Sequence, residues 1–177
     1  MINMKKICLT LFILIFFPVK SYGLIEVDIT RGNLNPLPLA VSPLSIDENS
    51  RSSFEKLLKK KNIGSEISTI VENNLKTSGL FNPLDKNAFL QAPDIANLKP
   101  RFEDWNLIKA QALITGKVNL VDEKLRVEFR LWDVLAGKEM LALAFTTVPN
   151  NWRRVGHIIS DKVYQRLTGE KGYFDTR

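Results

Sequence analysis

The chain has 177 residues, 25 of them lysine or arginine against 19 aspartate or glutamate, and a formal charge of +6. One cysteine and one histidine exclude a disulfide framework, a thiolate metal centre and a histidine-rich metal site within the chain. Three of the lysines, Lys5, Lys6 and Lys20, fall in the first 23 residues, so the remainder carries only +3, which weakens the case for nucleic acid as a partner.

Residues 1–6 are a short basic start, and residues 7–17 an apolar run interrupted only by Cys8 and Thr10 before Pro18 breaks it. Ser21 and Gly23 then stand three and one positions before a cut ahead of Leu24. Charged, apolar, small-x-small is the layout of a cleaved secretory signal, and the run is shorter than the ~20 residues a membrane span requires. Cleavage is expected between Gly23 and Leu24. Cys8 leaves with the signal, and it lies too early to be a lipoprotein cysteine. The expected product is residues 24–177, working outside the cytoplasm without a disulfide or thiol nucleophile, which suits a bacterial periplasm.

Residues 24–33, LIEVDITRGN, alternate Ile25, Val27 and Ile29 with Glu26, Asp28 and Thr30. Period-two alternation of β-branched and polar residues reads as a half-buried strand. Asn35-Pro36-Leu37-Pro38 follows as a stiff spacer, because proline fixes φ and removes a donor. Leu39-Ala40-Val41 is a short apolar strand. The polar stretch 46–62, with Lys59-Lys60-Lys61, reads as a surface loop with at most one helical turn. Ile63, Ile67, Ile70, Val71 and Leu75 share one helical face, stopped at Ser78-Gly79. A short extended piece follows at 80–84, then a loop at 93–100 and a short helix at 102–110 with Trp105 and Ile108 inward. Residues 112–121, 124–134 and 138–148 alternate as three strands joined by tight turns at Asp122-Glu123 and Ala136-Gly137, an antiparallel meander. A second long helix covers 151–167, with Trp152, Val155, Ile159, Val163 and Leu167 inward, Asn150 or Asn151 as its cap, and Thr168-Gly169 as its end. Residues 172–177 form a tail without regular structure. The fold class expected is α/β: two long helices packed on a small mixed sheet of about five strands.

Chemistry is sparse. His157 stands alone on the last helix and reads as solvated or capping, and the carboxylates are scattered. The glycines do not form a phosphate-cradling pattern. No catalytic residue, cofactor or metal is expected. What remains is the first alternating segment, set apart by prolines. It serves either the domain's own sheet or the sheet edge of another protein, by β-augmentation.

Several blocks resemble the amino-terminal domain of the TolB family of the Tol–Pal cell-envelope system: LPLAVSPL at 37–44, LKTSGLFNPLD at 75–85, WNLIKAQALITGKV at 105–118, VEFRLWD at 127–133, and WRRVGHIISDKVYQRLTGEKGYFDTR at 152–177. The segment IEVDIT at 25–30 has the place and pattern of the family's first mature strand. The resemblance implies a non-enzymatic α/β domain over 37–170, preceded at 24–36 by a partner-binding strand and spacer. It implies that Leu24, Ile25, Glu26, Val27, Asp28, Ile29, Thr30 and Arg31 contact TolA, and that the protein supports outer-membrane integrity and constriction at division. In the family a six-bladed propeller follows and carries most Pal binding. Here residues 171–177 would be the linker toward it, the chain is expected to be a fragment, truncated product or split protein, and Pal binding is not carried over. The basic segment 47–62 is longer than the family's usual loop and is given no role. The competing reading is a stand-alone envelope binding module with another protein or ligand partner.

Overall fold

A computed structural model describes residues 25–27 and 35–176. The elements in chain order are β1 (Leu37–Val41), β2 (Ser45–Ile46), α1 (Glu48–Leu58), α2 (Ile63–Thr77), β3 (Phe81–Pro83), α3 (Pro93–Leu98), α4 (Phe102–Leu107), β4 (Ala112–Val121), β5 (Lys124–Asp133), β6 (Lys138–Thr147) and α5 (Trp152–Thr168). Single 3-10 turns stand at Lys86–Ala88 and Pro149–Asn151. The strands form one mixed six-stranded sheet in the order β3-β1-β4-β5-β6, with β2 also paired to β4. β1 is parallel to both β3 and β4, whereas β4, β5 and β6 are the antiparallel meander. β2 runs parallel to β4 further along, Ser45 opposite Lys117, so β1 and β2 are two parts of one line interrupted at Ser42-Pro43-Leu44.

The alternation along β5 sets which side of the sheet becomes the core. Leu125, Val127, Phe129 and Leu131 are buried, while Arg126, Glu128 and Arg130 face away. α2 and α5 cover the buried side with Ile63, Ile67, Val71 and Leu75 from one and Val155, Ile159, Val163 and Leu167 from the other. Gly156 lets the two helices approach, since a Cβ there would lie 2.8 Å from Ile70 Cγ2. A smaller core on the opposite side gathers Ala40, Leu113, Ala110 and Val134 around Trp105. The Trp105 indole N–H donates to Gln91 Oε1 at 3.0 Å, satisfying the one polar group a buried tryptophan carries.

Several sequence expectations need correction. The basic stretch 46–62 is not a loop: it contains the eleven-residue helix α1, capped by Asp47, whose Oδ1 accepts from Ser50 N at 2.8 Å. Phe54 anchors it with no exposure, and Ser50 Oγ accepts from Leu120 N at 2.9 Å. The lysine run is the helix end, Lys59 being the left-handed cap, with Lys60 paired to Glu66 and Lys61 to Glu55. The loop expected at 93–100 contains α3, opened by Pro93 at its first turn. Leu37 and Pro38 belong to β1 and not to a spacer; Pro38 sits before the β1–β4 pairing starts at Leu39, and its carbonyl accepts from Gln111 N. Asn151 does not cap α5 with its side chain, which donates to Thr147 Oγ1 instead. His157 is neither solvated nor a cap. It is half-buried against α2, with Asn74 Nδ2 at 2.9 Å from its Nδ1. An amide nitrogen only donates, so Nδ1 accepts and the ring proton is on Nε2.

The end of the chain is irregular but held down. Asp161 accepts from Phe174 N at 2.7 Å and from Asp175 N at 3.1 Å, and Arg154 pairs with Asp175 at 3.0 Å. Tyr173 and Phe174 meet Tyr164 edge-on.

Candidate partner-binding site

Of the residues expected to contact a partner, Leu24, Asp28, Ile29, Thr30 and Arg31 lie outside the described residues, as does Gly23 of the expected cleavage site. Ile25, Glu26 and Val27 are described, and they are not paired in the sheet. They lie on the body at two points. Ile25 N donates to Asp133 Oδ2 at 3.2 Å, and Val27 N donates to the Leu167 carbonyl at 2.7 Å. Ile25 and Val27 are half-buried against the main core, while Glu26 between them faces solvent. The alternation read from the sequence is therefore present in the contacts of these three residues.

Each anchor has a local cause. Leu167 is in the last turn of α5, where carbonyls lack an intrahelical donor, and Gly169 closes the helix with φ +78°. Val27 supplies one of the missing donors. Asp133 ends β5 on its buried side, at 1% exposure, and its Oδ1 accepts from Ala136 N at 2.8 Å to fix the β5–β6 turn. Its second oxygen is what holds Ile25. Neither anchor was foreseen. The available signal for Asp133 was parity: it follows Val127, Phe129 and Leu131 on the inward positions, where a carboxylate needs donors.

Groups with shifted titration are scattered and explained by structural neighbours. The Ser50 side chain, aided by its backbone N–H and opposed by burial, holds the Asp47 carboxyl below its ordinary range. Burial pushes Glu128 up, but Arg126 and Lys117 outweigh it and leave its carboxyl low. Burial raises the Tyr164 phenol, and the Asp175 carboxylate raises Arg154. Among the described residues no group of three or more His, Cys, Asp or Glu side chains is placed to hold a metal ion, and no helix is long and apolar enough to cross a membrane.

Residues 25–140 match the family described as the TolB amino-terminal domain. The chain belongs to that family. The chain is 81% identical over 168 residues to the Tol-Pal system protein TolB of Pelagibacter ubique (strain HTCC1062), an alignment covering 94% of this chain and 38% of that protein. It thus spans well under half the length of that TolB relative. The crystal structure of TolB from Acinetobacter baumannii matches in fold, with a TM-score of 0.63 at 23% identity over 85% of this chain and 33% of that one. The TolB amino-terminal fold accounts for the mixed sheet with both long helices on one side.

Proposed function

We propose that this chain is a non-catalytic adaptor of the Tol–Pal system, acting in the periplasm after loss of residues 1–23, and that residues 24–31 are the strand it gives to TolA. The observation that carries this reading is the way Ile25, Glu26 and Val27 sit. One hydrogen bond to the Asp133 carboxylate, one to the Leu167 carbonyl and two half-buried side chains hold them, outside any strand of the sheet. Such a segment exchanges its few internal contacts for a full ladder when a sheet edge is offered. Family membership and the Tol-Pal name of the 81% identical relative support the choice of partner. Through this link the protein would join the inner-membrane side to the outer membrane, supporting its integrity and its constriction at division.

The test is calorimetric titration of residues 24–177 and of residues 32–177 with the C-terminal domain of TolA. Binding by the longer protein alone is expected. Equal affinity of the two would place the contact elsewhere, and binding by neither, with a free 24–33 peptide also inert, would refute TolA as partner.

A further inference from the structure

Residues 89–111 and the β5–β6 turn surround Trp105 on the sheet face that α2 and α5 leave free. One glutamine ties this layer together. The Gln91 side chain donates to the Lys99 carbonyl at 2.9 Å and accepts from Arg101 N and Trp105 Nε1, each at 3.0 Å. The turn belongs to the same layer, since Val134 N donates to the Gln111 carbonyl at 2.9 Å and a Cβ on Gly137 would lie 3.5 Å from the Phe102 ring.

The outer surface of this layer is apolar. Leu98 is 84% exposed, Leu107 74%, Leu135 63% and Leu90 60%, the four highest values among the described bulky apolar side chains. Single exposed leucines are ordinary, whereas a group of them marks a contact surface. Three of the four are followed within three residues by a lysine, Lys99, Lys109 or Lys138. None of these lysines is ion-paired among the described residues. Against them stand Glu103, exposed on α4, and Asp94, which lines a separate cavity with Pro43 and Arg51; Asp104 is neutralised by Arg101. The leucines stand on separate short elements: the ends of α3 and α4, the loop before α3 and the β5–β6 turn. A protein partner would need a matched pocket for each. A bilayer accepts scattered projections without shape matching, the leucines entering below the headgroups while the lysine stems reach back to phosphate.

We infer that the α3–α4 layer docks on the surface of an anionic phospholipid bilayer, with Leu90, Leu98, Leu107 and Leu135 inserted and Lys99, Lys109 and Lys138 on the headgroup phosphates. The contact shares no residue with 24–31, so failure of the TolA reading leaves it standing.

The experiment uses residues 24–177, which hold every described element and lack both the apolar run at 7–17 and Cys8. Co-sedimentation is measured with vesicles of phosphatidylcholine alone and of equimolar phosphatidylcholine and phosphatidylglycerol. Binding to the anionic vesicles only is expected, weakening as salt rises. Each lysine near such a surface contributes about fivefold, so the Lys99→Glu, Lys109→Glu double variant should weaken binding about 25-fold or more. Lys56→Glu, Lys59→Glu on α1 changes the net charge equally and should weaken it by about threefold at most. Leu98→Ser, Leu107→Ser should weaken it by about tenfold or more at unchanged charge. All these side chains are exposed, and circular dichroism checks that each variant keeps its fold. Residues 24–177 contain no cysteine, so Leu98→Cys takes a single environment-sensitive nitrobenzoxadiazole dye. Its emission should shift to the blue on anionic vesicles, while the same dye at Leu57→Cys should not respond. Absence of binding up to millimolar lipid overturns the inference, as do a dye at position 98 that stays in water, equal loss from the two lysine pairs, or affinity indifferent to the leucines. A dimer in sedimentation velocity that Leu98→Ser, Leu107→Ser dissociates would make the occupant a second copy and would overturn it too.

Discussion

Replacing Asp133 by Asn tests how the segment Ile25–Val27 is held on the domain. Asn keeps one carbonyl oxygen, which continues to accept from Ala136 N, and turns an N–H₂ toward the Ile25 N–H that the carboxylate now accepts at 3.2 Å. The contacts give the scale. A hydrogen bond to a carboxylate contributes about 1.5–3 kcal/mol and the neutral bond from Val27 to Leu167 about 1 kcal/mol. Half-burial of one isoleucine and one valine adds roughly 2 kcal/mol. Ordering three residues costs about 3–6 kcal/mol of backbone entropy. The two sides nearly balance, so the segment is poised between docked and free. Losing the carboxylate bond lowers the docked-to-free ratio about 10- to 100-fold, at ~1.4 kcal/mol per decade. The assay is amide hydrogen exchange at Val27, whose protection depends on the same docking although its own acceptor, Leu167, is untouched. Val27 should approach the exchange rate of an unstructured amide while amides of β4 and β5 keep their protection, and affinity for a strand-accepting partner should rise by only about twofold, because a segment near balance is already free about half of the time. Unchanged exchange at Val27 would refute the latch, and loss of protection throughout β5 would make Asp133 a core residue instead.

Gly64→Ala places a Cβ 2.1 Å from the Leu44 carbonyl oxygen, a backbone atom that cannot step aside, so urea unfolding should show a loss of about 1–3 kcal/mol or more. Ser68→Ala removes the acceptor of Leu44 N in a buried site, and should cost about 1–3 kcal/mol in the same assay. Because the Asp47 carboxyl titrates below its ordinary range in the folded chain, its contribution to α1 is complete above that range and fades as pH falls through the lowered value. The Ser50 amide resonance, followed by NMR, should report this loss, and Asp47→Asn should flatten the titration. Asp161→Ala removes both acceptors of the terminal turn, so Phe174 and Asp175 amides should lose protection with little change in melting temperature.

Where one face of an element is uniformly apolar, the sequence was easy to read. β5 alternates without exception to Leu131, and α2 and α5 bury the stripes their 3.6-residue spacing marks. α1 escaped because its buried face is completed by a polar residue, Ser50, beside Phe54, so counting apolar positions finds no stripe. The short helix α3 escaped because six residues hold too few turns for a period to show. His157 was misplaced because its partner, Asn74, belongs to another helix. The candidate segment was legible as an alternating pattern, and the groups that hold it were not. Asp133 is 108 residues away, and Leu167 is offered only because a helix happens to end there.

The position of β1 also bears on how the chain folds as it emerges. Both of its neighbours, β3 and β4, come later in the sequence, and its pairing with β4 joins residues 39–41 to residues 112–114. During N-to-C synthesis LPLAV therefore leaves the ribosome with no partner, and its first ladder waits for Phe81. The β4–β6 meander, by contrast, is made of neighbours in sequence and closes short loops quickly. Folding is thus expected to be late and nearly concerted, with the meander as the early unit and the docking of β1 onto β4 as the slow, long-range step. Until about residue 121 is available, the apolar β1 segment is the part of the nascent chain that most needs shielding from aggregation.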